Sequence, residues 1–188
     1  MKYLLSAVFL LLSFTYIEAQ ERIKCGLPEL HENNLLYRTD RPINQTYYQS
    51  LSGLFYIHYD TTAVENYDHR PLEGDENDNG VPDFVEWAAT YLDYTWAQEV
   101  DSAGFAGPNH AGGDGFYNVS FESMGPYGYC TTSGLDVGAT ELTRLVLHNS
   151  YVGFGANQDP EGNVKGAMKV TCAHEFKHAS QRSESSWP

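Results

Sequence analysis

An α+β domain is what the sequence predicts, and three observations carry that expectation. The run GLFYIHYD (residues 53–60) alternates Leu54, Tyr56 and His58 with Phe55, Ile57 and Tyr59, which reads as a buried strand. In VPDFVEWAATYLDYTWAQEV, Phe84, Trp87, Ala88, Tyr91, Leu92, Thr95 and Trp96 recur at helical spacing. That pattern makes an amphipathic helix of about four or five turns. Strand-like GFYNVSFESM and TRLVLHNSY then precede a segment that turns helical from Lys165 onward. The order strand, helix, strands, helix belongs to the α+β class.

The elements are justified in chain order. MKYLLSAVFLLLSFTYIEAQ has a positive Lys2, a short apolar run and the small-residue site Ile17-Glu18-Ala19. This is the layout of a cleaved signal peptide over residues 1–19, with secretion as its consequence. The apolar run is short of the roughly 20 residues a spanning helix needs, so no membrane anchor is expected after cleavage. Residues 20–50 are polar and irregular and are expected to form an extended arm. Residues 51–188 form the folded domain. Gly104, with Pro108 soon after, is expected to end the first helix.

The 188 residues carry 25 acidic against 11 basic side chains, a formal net charge of −14. Nucleic acid and anionic membranes require basic patches, so neither is an expected partner. An acidic surface suits cation binding and solubility equally. Cys25, Cys130 and Cys172 include no C-x-x-C spacing, so thiolate zinc has no support. Cys172 falls on the second helix as a buried structural thiol. Trp87, Tyr91, Tyr94 and Trp96 read as core rather than as a carbohydrate platform.

DENDNGVPDFVE matches a twelve-residue calcium loop. Asp75, Asn77, Asn79, Gly80, Val81, Asp83 and Glu86 fall at positions one, three, five, six, seven, nine and twelve. Ca²⁺ takes hard oxygen ligands, so alternate side chains of a tightly coiled loop converge on one point. Asp75, Asn77, Asn79, Asp83 and Glu86 would supply side-chain oxygens and Val81 its carbonyl, while Gly80 permits the turn. An acidic turn that only caps the helix is the alternative. HRPLEG offers no preceding helix, so the loop reads as a structural site rather than half of a sensor pair.

VTCAHEFKHASQ (residues 170–181) carries the His-Glu-x-x-His pattern. On a helix His174 and His178 share a face one turn apart, so both imidazoles can reach one zinc ion. Glu175 lies beside the first ligand, where its carboxylate can serve as general base toward a water activated by the metal. A surface helix that happens to carry these three residues is the bland alternative.

SGLFYIHYD, DENDNGVPDFVE with its Trp- and Tyr-bearing helix, and KVTCAHEFKHASQ, in that order, resemble a family of secreted bacterial zinc metallopeptidases. KCG and RP in the leader are similar too, and the resemblance covers nearly all of the mature chain. It implies a zincin-like fold, a mixed sheet packed on the long helix and the active-site helix. It also implies His174 and His178 as zinc ligands, Glu175 as general base, and a protein or peptide as substrate. In similar families a third ligand comes from a further helix, which is expected to lie beyond Pro188 and leaves the domain incomplete at its C-terminus. Glu184, His148, His110 and Asp114 have no spacing argument in their favour. In zincin-like folds an edge strand above the active-site helix binds extended peptide, and TRLVLHNSY is either that edge or an ordinary core strand. The function expected is a secreted zinc-dependent endopeptidase with a structural Ca²⁺. The alternatives are a calcium-stabilised extracellular adhesion module and a non-catalytic zincin relative.

Overall fold

The computed structural model describes residues 45–63, 68–109, 116–132 and 143–184. The predicted signal peptide and most of the predicted arm lie outside these residues. The arm's last residues, Thr46–Gln49, form strand β1, which pairs antiparallel with β2 (Phe55–Tyr59). Gly53 makes the turn between them in the left-handed region, at φ 76°. Ser52 ties that turn to the first helix through the Asp93 carboxylate.

Helix α1 spans Asp83–Trp96 and passes directly into a π-helical segment, Ala97–Ser102. Gly104, at φ 76°, closes it as expected from the sequence. Strands β3 (Tyr117–Glu122), β4 (Gly128–Thr132) and β5 (Thr143–His148) follow, then helix α2 (Asn163–Glu184). The α+β class holds, with a mixed five-stranded sheet in the order β1-β2-β3-β5-β4. β2, β3 and β5 run parallel, while both outer strands are antiparallel to their neighbours.

This order decides the question left open over TRLVLHNSY. Only Thr143–His148 is strand, and β5 lies between β3 and β4. It is an interior strand; among the described residues the outer strands are β1 and β4. The remaining residues turn back on His148, whose Nδ1 accepts the N–H groups of Ser150 and Tyr151 at 3.1 Å each.

Both helices pack on one face of the sheet. Phe55, Ile57 and Tyr59 of β2 alternate with half-buried Tyr56 and His58, so this strand buries one face completely rather than both. Val119 and Phe121 of β3, Cys130 of β4, and Leu145 and Leu147 of β5 continue the layer. Phe84, Val85, Ala88 and Leu92 of α1 face them, as do Met168, Cys172, Phe176 and Ala179 of α2. Trp87, Tyr91 and Trp96 pack against this core, whereas Tyr94 is exposed. Cys172 is buried with a free thiol, as expected. Phe176 touches Phe55 and Trp96 at ring separations of 6.2 and 5.9 Å, placing the residue after Glu175 at the centre of the molecule. Burying a side chain of that size contributes about 2–3 kcal/mol. No helix among the described residues is long and apolar enough to cross a membrane.

Candidate metal centre

The 22-residue helix α2 carries the whole motif, so its three residues take positions fixed by helical geometry. His174 is exposed and His178 half-buried, and their Nε2 atoms stand 3.1 Å apart. The rings meet edge to face, with centroids 4.6 Å apart and planes at 88°. One ring donates its N–H to the other. Two nitrogens bound tetrahedrally to zinc at about 2.0–2.1 Å lie about 3.3 Å apart, so the observed separation fits joint ligation. Burial lowers the pKa of His178, with His174 and Arg182 acting in the same direction and Gln181 opposing. The neutral, ligand-competent imidazole is thereby favoured.

Glu175 lies under the sheet, against Gly128, and has no solvent exposure. Neither carboxylate oxygen has a hydrogen-bond partner. Burial pushes this carboxyl up to about 8, and the nearby backbone N–H of Cys130, outside hydrogen-bonding geometry, acts the other way. The orphaned oxygens therefore lie against β4, at the edge of the sheet. His148 N–H donates to Tyr127 O at 2.9 Å, which makes Tyr127 and His148 a hydrogen-bonded pair. The alternation of an antiparallel ladder then turns the N–H and C=O of Gly128 and Cys130 away from β5, toward the side of β4 that has no strand partner among the described residues.

The third-ligand candidates are not brought in. His148 is buried in β5 with Nδ1 committed to the turn that follows it. His110, Asp114 and the side chain of Glu184 lie outside the described residues. Among the described residues, no group of three or more His, Cys, Asp or Glu side chains is arranged to hold a metal.

The calcium-type loop is coiled as its pattern predicts. Asp75 accepts the backbone N–H of Asn79 at 3.1 Å and of Gly80 at 2.8 Å. The side-chain amides of Asn77 and Asn79 meet the Glu86 carboxylate at 3.0 and 2.8 Å. Gly80 takes the left-handed turn at φ 81°, and Asp78 does the same at 56°. Asp75, Asn77, Asn79 and Glu86 thus converge, and an all-oxygen set of carboxylates and amides fits a hard cation once each amide presents its oxygen. Asp83 does not join that cluster. Its Oδ2 accepts the Glu76 N–H at 3.1 Å and its own N–H donates to Gly74 O at 2.8 Å, closing the loop behind the centre. Val81 donates its N–H to Asn79 Oδ1 at 2.8 Å and rests its side chain on the core.

Sequence reading found the motif residues but missed the edge strand that covers Glu175. The available signal was the glycine in GYCTT, since a glycine within a strand marks close backbone approach. Compared with family models, with curated proteins and with solved structures, the chain matches none.

Proposed function

We propose that the protein is a secreted zinc-dependent endopeptidase of zincin type, with a structural calcium ion in the 75–86 loop. The observation that supports it is the convergence of the His174 and His178 Nε2 atoms one helical position from a buried, unpartnered Glu175 carboxylate. His174 and His178 would hold the zinc. Zinc bound there would lower the pKa of a water from about 15.7 to about 7 and polarise the scissile carbonyl. Glu175 accepts a proton at its carboxylate and returns it to the leaving amine, so the reaction needs no covalent acyl-enzyme. The outward N–H and C=O groups of Gly128 and Cys130 suit an extended peptide that adds to β4 as a further strand. Asp75, Asn77, Asn79 and Glu86 would hold calcium, fixing the entry to α1 without a part in the chemistry.

The secreted gene product is expected to bind about one zinc per chain by metal analysis. Glu175→Gln should abolish hydrolysis of a peptide library while leaving that zinc bound. Calcium without zinc would favour the adhesion module, and zinc without any cleavage would favour the non-catalytic relative.

A further inference from the structure

Strand β4 begins with a glycine that its backbone conformation does not require. Gly128 is absent from the left-handed glycines Gly53, Gly74, Gly80, Gly104, Gly153 and Gly162. What singles it out is proximity. A Cβ at position 128 would stand 2.6 Å from Thr171 Cγ2, 2.9 Å from Val146 O and 3.3 Å from Glu175 Cγ. The first two separations are closer than packed atoms tolerate, and neither neighbour yields easily. Val146 O is backbone of the adjacent strand. Thr171 is buried, and its Oγ1 donates to Ala167 O at 2.7 Å, which fixes the rotamer that aims Cγ2 at β4. A side chain here would either lift the strand or displace the helical turn that holds Thr171 and Glu175.

We infer that Gly128 is a positioning residue for Glu175: its missing side chain lets β4 lie directly on the Thr171–Glu175 turn and sets where the carboxylate stands relative to His174 and His178. The inference rests on the peptidase reading and adds to it a residue outside the His-Glu-x-x-His motif. Glu175 runs beneath Gly128, which is why its oxygens are enclosed although His174, its neighbour in sequence, is exposed. His174 lies on the same turn but is exposed, and neither it nor His178 is among the three atoms nearest to the added Cβ. Pressure from that Cβ therefore falls on the Glu175 side chain directly and reaches the zinc ligands only through the backbone of the turn.

The test is a cycle of Gly128→Ala, Thr171→Ser and the double variant, with zinc content, kcat and KM measured on the full secreted protein. Thr171→Ser removes the methyl nearest to the added Cβ and keeps the hydroxyl that bonds Ala167. Gly128→Ala is expected to lose about 100-fold in kcat, the cost of misplacement by about 1 Å, with zinc content and KM unchanged. The double variant should regain at least about tenfold of that loss, because the closest contact is removed while the one to Val146 O at 2.9 Å remains. Unchanged kcat in Gly128→Ala, or a loss matched by zinc release, would overturn the positioning role. Melting of the metal-stripped proteins reads the contact by itself: lowered in Gly128→Ala, recovered in the double variant. Equal melting of all four proteins would overturn the contact. If Gly128→Ala does not fold, a folded double variant is the rescue expected and an unfolded one refutes it. A wild type with this melting pattern that hydrolyses nothing would overturn the peptidase reading, and the positioning role with it.

Discussion

Glu175 carries a carboxyl enclosed between α2 and β4, and that enclosure sets how the metal-free protein responds to pH. The folded-state carboxyl is raised from 4.5 to about 8 by burial. Stability tied to it is therefore complete below the unfolded value near 4.5 and is lost as pH rises through about 8. Metal-stripped Glu175→Gln should melt with wild type at about pH 4 and above it at about pH 9, as read by calorimetry of both proteins at each pH. A difference between the two that stays constant with pH would contradict the account. The placement of His174, Glu175 and His178 on one helix was legible because it follows from their spacing. The burial of Glu175 was not, since the strand that covers it is 45 residues away in the chain and α2 alone would leave it at a surface. His148 had no spacing argument for a ligand role, and its Nδ1 proves to hold a turn.

Among the elements, the 75–86 loop and α1 form one unit. Helix α1 starts after Pro82 with no side-chain cap, so its first turn depends on the loop for order. Chelation of calcium should lower the melting temperature, and Asp75→Ala should make that temperature insensitive to chelator. An unchanged wild-type melting temperature in chelator would remove calcium from the loop. The coil of the loop was legible because its Asp, Asn and Gly positions follow local turn rules; that the Asp83 carboxylate accepts the Glu76 N–H was not. Strands β1 and β4 were not legible. TYYQ alternates within a polar stretch, and GYCTT is five residues beginning with glycine, too short for periodicity to speak. Their partners are chosen by the sheet, so which strand forms the edge could not be read from TRLVLHNSY alone.

For the whole molecule, the core layer between the sheet and the two helices is the main source of stability among the described residues, and Phe176 is its centre. Phe176→Ala should cost about 3–5 kcal/mol in urea unfolding with an unchanged denaturant slope. A loss below about 1 kcal/mol would mean that the aromatic cluster of Phe55, Trp96 and Phe176 packs loosely. Helical spacing gave the share of that layer from α1 in advance, while which residues of β2, β3 and β5 face inward is decided by the sheet. The sheet's strand order depends on contacts between distant segments and had to be seen. The π-helical segment Ala97–Ser102 has a different consequence, one of chain length. Its wide turns hold more residues than α-helix would in the same rise, with Ala103 N–H donating to Gln98 O and Phe105 N–H to Glu99 O. Those extra residues bring Phe105 beneath the Lys177 ammonium and Glu99 within 3.8 Å of it. A chain shortened by one residue between Ala97 and Ser102 would close into ordinary α-helix and turn Phe105 by about 100°. What this segment fixes is therefore the count of residues between α1 and its glycine stop, and with it the alignment of the two helices at the end that bears the histidines.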